Sequence, residues 1–76
     1  MPTFRYTVDD EPQETSDHVL TPAQILSNAQ IDAASHYLVQ LQGNHRKSYE
    51  GKPDEAIHMH ENMKFISVSV APTPVS

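Results

Sequence analysis

The chain's clearest metal-like spacing is in His58-Met59-His60-Glu61, where two imidazoles stand one residue apart. On an extended segment alternate side chains share a face, so His58 and His60 would point the same way and could chelate zinc or nickel if a third ligand converged. His18, His36 and His45 are scattered along the sequence and do not strengthen that case. A solvated strand face with no metal is therefore expected, with His58 and His60 as the candidates to inspect. The second chemistry to weigh is nucleophilic, with His60 as base and Ser67 or Ser69 as nucleophile. Such assemblies need an oriented third group and an oxyanion site in a sheltered cleft. The sequence signals neither, so the chain is not expected to be an enzyme, and no cofactor is expected.

The third feature is the end of the chain, Ser67-Val68-Ser69-Val70 followed by Ala71-Pro72-Thr73-Pro74-Val75-Ser76. The first four residues alternate as a half-buried strand should. The last six carry two prolines that cannot donate to a sheet ladder and favour an extended, polyproline-like spacer. Residues 71–76 are read as a flexible tail on a domain of residues 1–70. Such a tail is either a frayed terminus or a segment on which another protein acts.

Composition limits what surrounds these residues. Seventy-six residues make one small domain whose hydrophobic core must hold the fold without staples. The absence of cysteine removes disulfides, thiolate nucleophiles and thiolate metal sites, and fits a reducing cytoplasm, where the protein is expected. No apolar run approaches the length of a membrane span, and the first residues do not resemble a signal peptide. A net charge of −5 argues against general nucleic-acid binding, which needs a clustered basic surface. The charge is also unevenly placed: Asp9, Asp10, Glu11, Glu14 and Asp17 crowd one segment, whereas Arg46, Lys47, Lys52 and Lys64 lie in the second half. These are either two solvated loops or an acidic and a basic end that steer partners or allow head-to-tail contact.

The elements that must position these groups follow from pattern. Phe4, Tyr6 and Val8 alternate with Thr3, Arg5 and Thr7 as a strand. Asp9 to Pro12 supplies a turn, and Gln13 to Val19 returns as a more polar second strand. In Leu20-Thr21-Pro22-Ala23-Gln24-Ile25, Thr21 is placed as an N-cap, Pro22 at the first helical position, Gln24 to close a capping box, and Leu20 and Ile25 as a hydrophobic staple. Pro22, Ile25, Leu26 and Ala29 then form one apolar face on a helix of about two to three turns. Asp32 to Ser35 reads as a turn. The strand Tyr37 to Gln42 is expected to place Tyr37, Val39 and Leu41 on one face and Leu38, Gln40 and Gln42 on the other. A short strand around Lys47 to Tyr49 and another in Ala56 to His60 precede a last strand, Phe65 to Val70, with Ile66, Val68 and Val70 inward. The fold class is α+β, with one helix packed across a mixed sheet in ββαββ(β) order and a right-handed crossover.

That order, with the capped Val19-Leu20-Thr21-Pro22-Ala23-Gln24-Ile25-Leu26 segment after an acidic hairpin and Lys64-Phe65-Ile66-Ser67-Val68-Ser69-Val70 closing the sheet, resembles the β-grasp fold of ubiquitin. More narrowly, Phe4 to Val70 is similar to the bacterial multi-ubiquitin family of ubiquitin-like domains. The resemblance rests on Val19-Leu20-Thr21, Ile25-Leu26, Tyr37-Leu38-Val39 and Lys64-Phe65-Ile66-Ser67-Val68, and on pattern more than on any invariant motif. It implies a protein modifier that is adenylated at its C-terminus, with an activating enzyme, a conjugating enzyme and a zinc-dependent JAB-type protease as partners. The conjugation tail would be Ala71, Pro72, Thr73, Pro74, Val75 and Ser76.

Two departures qualify the implication. Ubiquitin-like modifiers usually end in Gly-Gly, but Gly43 and Gly51 both lie inside this domain, so no trimming leaves both a glycine carboxylate and a complete fold. The options are activation at Ser76 or Val75, a tail cut back to Ala71, or a domain that is not conjugated and acts as a binding or assembly module through its sheet face or edges, including self-association. The second departure is the partner-binding sheet face. By the alternation above it comprises Arg5, Thr7, Leu38, Gln40, Gln42, Ser67 and Ser69, a mostly polar surface on which Phe65 and Leu38 would form a small apolar patch. Modules that insert apolar side chains would bind such a face poorly.

Overall fold

In the computed structural model, which describes residues 3–70, the chain begins with a hairpin tighter than the sequence suggests. Strands β1 (Phe4–Val8) and β2 (Glu11–Thr15) pair antiparallel with Val8 opposite Glu11, leaving only Asp9 and Asp10 in the turn. Both adopt positive φ, 53° and 68°, as a two-residue turn matched to strand twist requires; aspartate tolerates this region better than most residues. Pro12 therefore lies within β2 and not in the turn. The strand is at the sheet edge, and the Pro12 nitrogen points away from β1, where a missing N–H breaks no ladder bond.

A short β3 (Val19–Leu20) follows, separate from β2, and leads into α1 (Pro22–Asn28). The helix starts where its local devices place it. The Gln24 amide donates to the Thr21 hydroxyl at 3.2 Å, and the Thr21 amide donates to the Gln24 side-chain oxygen at 2.9 Å. Pro22, Ile25 and Leu26 are buried on the sheet, with Ala29 packed beside them. At seven residues the helix would not persist without this packing. Its exit turn through Asp32 is held by the Ala34 amide donating to the Asp32 carboxylate at 2.9 Å.

The second half contributes β4 (His36–Gln42), β5 (His45–Ser48), β6 (Ile57–His58) and β7 (Met63–Ser69). The main sheet has the order β2-β1-β7-β4-β5; β3 and β6 form a two-stranded ribbon beside it. β1 and β7 are parallel, and the other neighbours in the main sheet are antiparallel. Parallel neighbours need a crossover, which the chain makes through α1 and β4 to β6. This is an α+β fold with one helix on one face of a mixed five-stranded sheet. The last strand lies in its middle. Among the described residues no helix is long and apolar enough to cross a membrane.

The core lies between helix and sheet: Tyr6, Val8, Leu20, Ile25, Leu26, Leu38, Tyr49, Ile57, Met59, Met63 and Phe65. Its composition corrects the expected phase of β4 and β7. Leu38 and Phe65 are 0% and 1% exposed, and belong to the core and to no surface patch. Gln40 stands opposite Phe65, and Leu38 opposite Ser67, so Leu38, Gln40, Gln42, Ser67 and Ser69 follow the helix-side phase. Tyr37, Val39, Leu41, Ile66 and Val68, expected inward, instead line the face away from the helix, and Val70 is exposed. Arg5 and Thr7 do lie on that outer face, as expected.

Candidate interaction surface and the closing strand

The outer sheet face is built by β4 and β7 at the centre, with β1, β2 and β5 as flanks. Tyr37 stands opposite Val68 and Val39 opposite Ile66, so four apolar side chains form two cross-strand pairs in one stripe. Leu41, opposite Lys64, extends it. Val39 is buried between these neighbours yet makes no part of the helix-side core; Tyr37, Leu41, Ile66 and Val68 are half-buried. None is covered by another element among the described residues. Polar and charged groups border the stripe: Arg46 and Ser48 on the β5 side, Lys64, Thr7 and Arg5 on the β1 side. Beyond the latter, a shallow groove of about 480 Å³ is lined by Arg5, Thr7, Pro12, Glu14 and Lys64. The signal for this surface was present in the sequence, in the unbroken alternation of Tyr37, Val39, Leu41 and of Ile66, Val68, Val70. The structure turns it away from the helix, because Leu38 and Phe65 take the core side.

Arg5 also fixes the loop before β7. Its Nε donates to the Glu61 carboxylate at 2.9 Å and its backbone amide to the same carboxylate at 3.3 Å. The side-chain hydrogen bond, with the attraction of opposite charges, holds the Glu61 pKa below the usual carboxylate range and raises that of Arg5. This is the one salt bridge among the described residues. It uses the carboxylate that stands next to His60 in sequence. Both histidines are exposed, while Ile57 and Met59 between and before them are buried; the His60 amide donates to Met63 Sδ at 3.1 Å. Among the described residues no group of three or more potential ligands converges on a metal position.

Ser67 is placed by a different contact. Its amide donates to Asp9 Oδ1 at 2.8 Å and its hydroxyl donates to Asp9 Oδ2, while the Asp9 amide donates to the Phe65 carbonyl at 3.0 Å. Both oxygens of one carboxylate are thereby occupied, and the β1-β2 turn is tied to the middle of β7. These contacts join the hairpin turn to β7, and among the described residues no histidine is hydrogen-bonded to Ser67. Asp9 was missed as a positioning residue because its partner is fifty-eight positions away in sequence. The neighbouring Val70 amide, which donates to the Ser35 carbonyl at 2.8 Å, holds the end of the closing strand against the turn after α1.

In the core beneath, the Tyr6 hydroxyl is buried with no hydrogen-bond partner among the described residues. Burial pushes its pKa up; Asn28 is near enough to oppose the effect without reaching hydrogen-bond geometry. The expected conjugation tail, Ala71, Pro72, Thr73, Pro74, Val75 and Ser76, lies outside the described residues. Compared with protein-family models, with curated proteins and with solved structures, the chain matches none.

Proposed function

We propose that this chain is a β-grasp, ubiquitin-like protein modifier of a bacterial ubiquitination-like pathway, activated at the end of the segment that follows β7 and passed to a conjugating enzyme. The observation that carries this reading is the position of β7. The strand is hydrogen-bonded to β1 on one side and β4 on the other, tied at Ser67 to the hairpin turn and at Val70 to the loop after α1. The strand that leads into residues 71–76 is therefore held along both edges and near its end. A modifier needs that division: a fixed body for recognition, and a following segment that another enzyme's active site can receive. The sheet order, with a parallel central pair and one helix across one face, supports the β-grasp assignment.

The departure at the chain end sets the chemistry required of a partner. Gly43 and Gly51 occupy internal turns at φ 60° and 74°, and residues 71–76 hold no glycine, so activation within that segment would present the carboxylate of Ala71, Val75, Ser76 or another non-glycine residue. An activating enzyme for it needs a channel wider than one fitted to Gly-Gly. The test is incubation with ATP and the activating enzymes of the source cell, read by ATP–pyrophosphate exchange and by intact mass. Exchange together with a C-terminal adduct supports the modifier; the absence of both rejects it.

A second reading is favoured by the outer sheet face. Tyr37, Val39, Leu41, Ile66 and Val68 give the apolar area that partner recognition uses, so a non-conjugated binding module would work through the same surface. On this reading, cells tolerate loss of residues 71–76 but not Val68→Asp. The modifier reading predicts that both changes abolish function.

A further inference from the structure

The two edges of the main sheet carry opposite charge and are open. At one end is β2, with Glu11 and Glu14; at the other is β5, with His45, Arg46 and Lys47, every residue of it exposed. Neither is covered by another element among the described residues. We infer that copies of this chain associate head to tail, the β5 edge of one pairing antiparallel with the β2 edge of the next.

The hydrogen bonds fix which groups are free to pair. In β1, the Asp9 amide and the Arg5 carbonyl are bonded toward β7 and the loop before it, so the groups of Phe4, Tyr6 and Val8 face β2. On β2, Glu11, Gln13 and Thr15 therefore point back to β1, and Pro12 and Glu14 point outward. The Tyr49 amide donating to the Leu38 carbonyl sets the phase on the other side: His45 and Lys47 face β4, and Arg46 and Ser48 point outward. Strand directions are also compatible. Relative to β1 and β7, β2 and β4 run opposite and β5 runs the same way. A second copy carried along the sheet in the same orientation thus brings an antiparallel β2 beside β5, with the outer faces of both copies on one side.

With Glu14 of one copy opposite Arg46 of the other, three ladder bonds form. The Glu14 amide donates to the Arg46 carbonyl, the Arg46 amide to the Glu14 carbonyl, and the Ser48 amide to the Pro12 carbonyl. Pro12 lacks the donor for a fourth, which shortens the contact but still leaves an acceptor. The side chains agree with this register. Glu14 lies beside Arg5 on the outer face and Arg46 beside Leu41 on the same face, so carboxylate and guanidinium meet directly. On the helix side Lys47 falls diagonal to Glu11. Pairing β5 with β5 would instead set cations against cations. Two strands of this length bury far less than the roughly 1,200 Å² of a stable complex, so association is weak, salt-sensitive and concentration-dependent. It does not close on itself, so copies add in a row. The inference stands apart from the modifier reading, since it needs neither residues 71–76 nor an enzyme.

The test is sedimentation velocity and amide NMR of the whole chain from micromolar to millimolar concentration, at low and high salt. The expected result is a mean mass that rises with concentration at low salt, with shifts at the Glu14, Arg46 and Ser48 amides. E14R and R46E should each raise the dissociation constant about fivefold, and mixing the two variants should restore association, because each then meets a complementary edge. S48P removes an outward donor and leaves the β4 ladder whole; it should weaken association in a chain whose circular dichroism is unchanged. A monomer throughout, association that ignores the charge reversals, or shifts centred on Tyr37, Ile66 and Val68 would overturn the inference.

Discussion

Replacing Leu38 and Leu41 separately by alanine distinguishes the two faces of β4 by energy. Leu38 is 0% exposed and packs among Leu26, Tyr49 and Phe65 in the core; Leu41 is half-buried on the uncovered face. Truncating a leucine in a packed core removes its transfer free energy and leaves a cavity, together about 3 kcal/mol. A domain of this size has roughly 4–11 kcal/mol of stability to lose. Leu38→Ala should therefore lower the melting temperature by on the order of 12–24 °C, with a matching fall in the urea midpoint. Leu41→Ala removes area from a face with no helix over it, and should cost below about 1 kcal/mol. Thermal and urea unfolding followed by far-ultraviolet circular dichroism measure both. Equal losses, or a larger loss for Leu41→Ala, would refute the assignment of Leu38 to the helix side, and with it the apolar outer face.

Thr21→Ala deletes one half of the capping box on a seven-residue helix and should cost about 1 kcal/mol, read as a lower urea midpoint. Tyr6→Phe removes a buried hydroxyl that has no partner, so the variant should be as stable as the parent or more so near neutral pH. The raised Tyr6 pKa means that the folded state resists ionisation; its contribution is intact below the ordinary tyrosine value and is lost as pH rises through the folded one. Melting temperatures measured across alkaline pH should accordingly fall less steeply in Tyr6→Phe. The lowered Glu61 pKa works in the opposite direction: stability from the Arg5 pair is present above the ordinary glutamate value and is lost as pH falls through the folded one. Both side chains are solvent-exposed, so Glu61→Gln should flatten the acid limb of the stability profile only slightly, and less still in high salt.

What could be read from the sequence was local. Thr21, Pro22 and Gln24 mark the helix start within a single turn, and the structure has the capping box and the proline at the first helical position. The first strand was legible because Arg5 and Thr7 differ sharply from Tyr6 and Val8. The phase of β4 and β7 was not, because both faces carry apolar residues and a shift of one position exchanges them all. Tyr37, Val39 and Leu41 outnumber Leu38, and Ile66, Val68 and Val70 outnumber Phe65, so counting favoured the wrong side. Side-chain size was the better clue. Phe65 is the largest residue of its strand and needs the deeper side, where it meets Tyr6 edge-on at 5.9 Å. Long-range ties left no local mark: Asp9 with Ser67, Arg5 with Glu61, and the pairing of Val19-Leu20 with Ile57-His58.

The reversed phase also changes what the protein offers a partner. The polar face expected from sequence would have argued against modules that insert apolar side chains; the stripe from Tyr37 to Val68 argues for them. Recognition by that face and chemistry on the segment after β7 would then be separable functions of one small domain. The most direct test of the modifier reading compares the whole chain with one ending at Val70, each given ATP and the activating enzyme, by ATP–pyrophosphate exchange. Exchange with the whole chain and none with the shortened one, both folded by circular dichroism, is the predicted result. Equal exchange by the two, or none by either, would contradict it.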